Sequence, residues 1–129
     1  MAYTPATGTW RALPRAPLSA RYASGVWTGT EVIIAGGMSP DTAMQVFADA
    51  AAYNPATRTW RKLPPMPEPC WGATAMWDGT EAPFIGGTLA GARGPSADGM
   101  AFNLATGQWR RLPAREFNRS NFAAVWTGR

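Results

Sequence analysis

Histidine is absent from the 129-residue chain, and cysteine and lysine occur once each, as Cys70 and Lys62. Without histidine the chain lacks the commonest general base and the commonest metal ligand. A zinc or copper site within one chain would need an unusual ligand set. The five serines Ser19, Ser24, Ser39, Ser96 and Ser120 have no imidazole to activate them, which excludes a Ser-His-Asp arrangement. A lone cysteine excludes an intramolecular disulfide. No apolar run approaches the roughly 18 residues of a membrane-spanning helix, so no membrane partner is expected. The opening Met1-Ala2-Tyr3-Thr4-Pro5 has neither the charge nor the apolar stretch of a signal peptide. Cytoplasm is the default expectation, unless a leader lies outside this sequence.

What the chain does contain points to a folded domain rich in turns. Hydrophobic residues make up 46%, an ordinary share for a globular core. The 14 glycines and 12 prolines favour short strands joined by turns over long helices. Net charge is +4, and eleven of the twelve cations are arginine. These arginines are dispersed and form no basic run, so nucleic acid is not the expected partner.

One pattern organises the rest. Tyr3-Thr4-Pro5-Ala6-Thr7-Gly8-Thr9-Trp10-Arg11 returns as Tyr53-Asn54-Pro55-Ala56-Thr57-Arg58-Thr59-Trp60-Arg61, and again as Phe102 through Arg110. Trp10, Trp60 and Trp109 stand 50 and 49 residues apart, and Trp27, Trp77 and Trp126 keep the same steps. The pairs Gly36-Gly37 and Gly86-Gly87 are 50 apart, and Leu13-Pro14, Leu63-Pro64 and Leu112-Pro113 share the frame. A fixed period of this length is the mark of a repeat architecture.

Within one period the signals are those of strands. Ala23 to Trp27 is small and apolar, and Thr28-Gly29-Thr30 turns the chain. Glu31 to Ala35 is β-branched and apolar, as in a strand buried on both faces. The glycine pair ends it. After a loop come Val46 to Tyr53, a tight turn at Asn54 to Thr57, and Trp60 to Leu63, which Pro64 and Pro65 stop. Four short strands in a meander follow, and no apolar spacing of helical period runs uninterrupted by Pro or Gly.

With these residues in place, the chain resembles the kelch repeat family. The glycine pair closing the second strand, the aromatic of the third (Tyr3, Tyr53, Phe102) and the tryptophan of the fourth (Trp10, Trp60, Trp109) carry the resemblance. It implies an all-β fold of four-stranded antiparallel blades, belonging to a β-propeller. It further implies structural roles for Gly36, Gly37, Gly86 and Gly87. All six tryptophans of the frame are expected in the core rather than as a ligand-stacking set. The reading over residues 1–129 is about two and a half blades: a half blade at 1–13, blades at 20–63 and 70–112, and a lone first strand at 121–127. A third complete repeat would need counterparts of residues 31 to 50.

An incomplete ring leaves apolar blade faces and unpaired strand edges, which is a hazard for association. Self-association is therefore the expectation, because the two ends offer complementary strands. Two chains would give about six blades and three about nine. The missing second strand weakens this closure. A truncated piece of a longer propeller and a merely soluble open arc are the alternatives.

In similar proteins partners meet the loops between second and third strands and between fourth and first strands. Here those loops are residues 38–45 and 88–97, and residues 15–21, 66–71 and 114–119. Arg15, Arg21, Arg93, Arg115 and Arg119 form a candidate rim for an acidic ligand or a protein partner. Trp71, which replaces Arg21 in the frame, is a candidate anchor. No catalytic or metal-binding residue and no cofactor is expected. Glu31 and Glu81 recur in frame, as structural residues do, and Asp41 and Asp49 lack the spacing of a calcium loop. Cys70 lies in a proline-rich loop with no base nearby and reads as an inert thiol. The resemblance implies a non-enzymatic scaffold or interaction module. A fragment of a kelch-like carbohydrate oxidase, epimerase or lyase, with its catalytic residues elsewhere, is one alternative, since histidine and a redox-active Tyr–Cys pair are missing here. An engineered propeller-assembly protein is the other.

Overall fold

The computed structural model describes residues 1–19, 21–96, 98–114 and 118–128, and it is all-β. Arg115, from the expected rim, lies outside the described residues. Strands β1 (Ala2–Thr4) and β2 (Thr9–Arg11) form a two-stranded hairpin. Strands β3 (Tyr22–Trp27), β4 (Val32–Met38), β5 (Ala50–Asn54) and β6 (Thr59–Leu63) form a four-stranded antiparallel meander in chain order. Then come β7 (Cys70–Trp71), β8 (Thr74–Ala75), β9 (Glu81–Ile85), β10 (Thr88–Leu89), β11 (Gly99–Asn103) and β12 (Gln108–Leu112). Of these, β8, β9, β11 and β12 make a second four-stranded meander, while β7 and β10 pair as a separate short ribbon. The described residues close no ring, and no helix among them is long and apolar enough to cross a membrane.

The repeated aromatic-to-tryptophan spacing is a hairpin register. Tyr3 faces Trp10, Tyr53 faces Trp60 and Phe102 faces Trp109 across their strands. Their ring centroids are 5.1, 4.9 and 5.1 Å apart in tilted geometry, which favours aromatic pairs. The turns are built by short polar side chains. Asn54 Oδ1 accepts from the backbone N–H of Ala56 and Thr57, and Asn103 Oδ1 accepts from Ala105 and Thr106. Thr28 and Asp78 do the same for the N–H of Glu31 and Glu81, at 3.0 and 2.7 Å.

The core lies between the two meanders. Ile33, Ala35, Ala50, Ala52 and Leu63 from the first form one cluster with Ala82, Phe84, Met100 and Phe102 from the second. Alanines on one sheet leave room for phenylalanines on the other, and Phe84 and Phe102 are fully buried. The glycine pairs allow this approach. All four glycines have positive φ, between 63° and 102°. A Cβ on Gly37 would lie 2.6 Å from the Tyr22 carbonyl oxygen, and one on Gly87 the same distance from that of Trp71. A Cβ on Gly36 would collide with the Cys70 carbonyl of the following unit, and one on Gly86 with the Arg119 carbonyl. The first glycine of each pair thus meets the next repeat, and the second meets its own repeat, at β3 for Gly37 and at β7 for Gly87.

Two expectations are corrected. Trp60, Trp77 and Trp109 are half-buried, but Trp10, Trp27 and Trp126 are 64%, 49% and 45% exposed. Trp10 differs from Trp60 and Trp109 because, among the described residues, no preceding sheet lies over it. Residues 121–127, expected as a first strand, join no ladder. A first strand pairs with a second strand, and none stands beside this segment among the described residues. The segment is instead held from the other side: the Asn121 N–H donates to Gly72 O at 2.8 Å, and the Thr74 hydroxyl donates to Phe122 O.

Candidate functional site

The loop arginines do not form one cluster. Arg15, Arg93 and Arg119 are exposed. Arg21 is not on the rim: its side chain is only 4% exposed. It pairs with Asp49 at 3.1 Å, donates to Ser19 O and Oγ, and lies 3.8 Å over the Phe47 ring. A cation stacked on an aromatic and paired with a carboxylate is a clamp. It ties the loop before β3 to the loop before β5. Its place in the loop at residues 15–21 is what put Arg21 on the rim; Phe47 and Asp49 capture it from a distant part of the chain.

The carboxylates that recur in frame are also occupied. Arg61 on β6 binds Glu31 with Nε at 3.1 Å and Nη2 at 2.7 Å, reaching across β5. Arg110 on β12 binds Glu81 with Nε and Nη2 at 3.1 and 2.6 Å, reaching across β11. Hydrogen bonding to Arg110 holds the Glu81 carboxyl below its usual range, and the hydrogen bond to Glu31 raises Arg61. Glu68 is paired with Arg111. The Glu31 and Glu81 pairs are framework and recur in frame, whereas Glu68–Arg111 has no counterpart in the other repeat.

Cys70 is 2% exposed, and its thiol faces the Gly86 carbonyl at 3.6 Å. Burial pushes its pKa up to about 11, away from the thiolate needed for nucleophilic attack.

What the structure does gather is an aromatic hollow of about 500 Å³ along the first strands. Tyr22, Trp71, Asn121 and Phe122 stand around it, over a floor of Ser24, Gly72 and Ala73. Tyr22 is 65% exposed and Trp71 is half-buried. Trp71, the expected anchor, lines this hollow, and its backbone is pinned by pairing to Thr88. Tyr22 and Asn121 were not singled out from sequence. The available signal was departure from the frame, since Tyr22 aligns with Gly72.

Residues 20–67 match the Kelch motif, and the residue frame of that segment recurs in the rest of the chain. The motif marks a protein-interaction module. No curated protein matches the chain.

Proposed function

We propose that this kelch-repeat chain is a non-enzymatic scaffold that binds protein partners on its first-strand face and assembles with copies of itself. The observation that carries the reading is the hollow formed by Tyr22, Trp71 and Asn121. Large aromatics held half-open on rigid strands are the residue types that anchor protein interfaces. Arg15, Arg93 and Arg119 lie exposed on the loops and favour an acidic partner segment. The groups that could do covalent or acid–base chemistry serve the framework instead: Glu31 and Glu81 hold arginines, and Cys70 is buried between units. Self-association is supported by the two-stranded sheet β1–β2, whose tryptophan is exposed.

Two measurements test this. Light scattering on a sizing column, over a range of concentrations, is expected to show a discrete dimer or trimer; a monomer throughout refutes self-association. Selection of displayed peptides on the full chain is expected to enrich acidic sequences. The double variant Tyr22→Ser, Trp71→Ser should lose that enrichment while keeping its urea midpoint. Equal enrichment by the variant refutes the binding face.

A further inference from the structure

We infer that the hollow along the first strands takes an uncharged, proline-rich segment of a partner protein, bound as an extended row of carbonyl acceptors. The inference rests on the protein-binding reading above and names the chemistry that the hollow selects.

Hydrogen-bonding capacity in the hollow is lopsided. The carbonyls of its floor are engaged within the chain. Gly72 O accepts from the Asn121 N–H at 2.8 Å, Ala73 O from the Ser24 hydroxyl at 2.5 Å, and Phe122 O from the Thr74 hydroxyl. The last two bonds also occupy the hydroxyl protons of Ser24 and Thr74. What is left over is mainly donors. The Trp71 indole N–H, the Tyr22 hydroxyl and the Asn121 side-chain amide have no hydrogen-bond partner among the described residues. Indole only donates, and an amide nitrogen carries two N–H. Such a site fits a ligand rich in acceptors and poor in donors.

The rings are unpartnered in the same way. Tyr53 and Trp60 pack with centroids 4.9 Å apart, and Phe102 and Trp109 at 5.1 Å. Tyr22, Trp71 and Phe122 pack on no aromatic ring among the described residues. Their positions are nevertheless set by the glycine pairs. A Cβ on Gly37 would meet the Tyr22 carbonyl at 2.6 Å, one on Gly87 the Trp71 carbonyl at 2.6 Å, and one on Gly86 the Phe122 ring at 2.9 Å. Asn121 Oδ1 lies 3.1 Å from where a Cβ on Gly72 would stand. Open ring faces on a backbone already fixed reduce the ordering cost of binding.

Proline answers each of these features. Its ring stacks on aromatic faces, its nitrogen carries no N–H, and its carbonyl remains an acceptor. Runs of proline are preordered as polyproline II, the form that aromatic-lined grooves bind. Charge agrees, since no Asp, Glu, Lys or Arg among the described residues lines the hollow. Arg15 and Arg93 stand exposed outside it, so acidic residues of the partner belong in the flanks of the segment. A saccharide would also stack on the rings, but each of its hydroxyls brings a donor that the engaged floor carbonyls do not match.

The test titrates the full chain, labelled with nitrogen-15, and follows the Trp71 indole N–H resonance, assigned by its loss in Trp71→Phe. The probes are a capped peptide of alanine and proline, a capped acidic peptide without proline, and a neutral oligosaccharide. The proline peptide is expected to shift the Trp71 resonance saturably. Trp71→Phe keeps a ring and removes the donor, and Asn121→Asp exchanges the amide donors for a carboxylate. Each is expected to weaken the proline peptide about tenfold, read by calorimetry, with an unchanged urea midpoint. Binding of the proline peptide at equal strength by both variants overturns the inference. A Trp71 shift with the acidic peptide and none with the proline peptide also overturns it, and leaves the protein-binding face standing. A shift with the oligosaccharide alone, or with no probe, overturns both.

Discussion

Arg110 grips Glu81 through two guanidinium nitrogens across the full width of β11, and the pair makes stability depend on acidity in a defined direction. The Glu81 carboxyl is held below its usual range when folded. Its contribution is therefore complete above the unfolded value of about 4.3 and is lost as pH falls through the lower folded value. Arg110→Ala should be less stable than wild type near neutral pH, with the gap closing below about pH 4. Urea midpoints along a pH series read this out. A gap that stays constant into strong acid would show that Arg110 acts by packing alone.

Gly36 and Gly79 share a positive φ but differ in what surrounds them. Nothing lies within 4 Å of a Cβ built on Gly79, whereas one on Gly36 collides with the Cys70 backbone. Gly79→Ala should cost about 1 kcal/mol, the backbone cost alone. Gly36→Ala should cost more than about 3 kcal/mol, because two backbones must part. Equal costs in chemical denaturation would refute the close-approach role.

The Cys70 thiol should resist modification until the two meanders separate. With its pKa pushed up to about 11 and its side chain buried, alkylation of the folded chain should be slower than in urea by a factor of about a hundred or more. Mass spectrometry of timed samples checks this. Rapid labelling of the folded chain would mean that the junction opens freely.

Trp109→Phe should destabilise the chain by about 1–2 kcal/mol, since Pro64 O loses its donor and the ring contacts with Phe84 and Phe102 shrink. Trp10→Phe, at an exposed site, should leave the monomer's thermal midpoint within error. Differential scanning calorimetry of both variants separates a junction tryptophan from an open one. Matching losses would mean that the two sites are energetically alike.

Local chemistry was legible in the sequence wherever a residue acts on its near neighbours. The Asn54 turn, the Tyr53–Trp60 hairpin and the glycine pair after β4 all depend on residues close in the chain, and the repeat exposed them. Burial was less legible, because Trp10 and Trp60 have the same local sequence and differ only in what lies over them. Arg21 shows the same limit: its loop position predicts a rim residue, and Phe47 and Asp49, remote in sequence, draw it inward. The hollow escaped notice for a related reason, since Tyr22, Trp71 and Asn121 come from three different repeats.

The indole-to-proline hydrogen bond recurs with the same donor and acceptor types at both junctions inside the chain, and nothing in it depends on the peptide bond that joins the units. The peptide link raises the local concentration of neighbouring units without altering how they dock. A gene that gained or lost one repeat would therefore lengthen or shorten the array while leaving each junction as it was. Array length and junction geometry become separately heritable quantities.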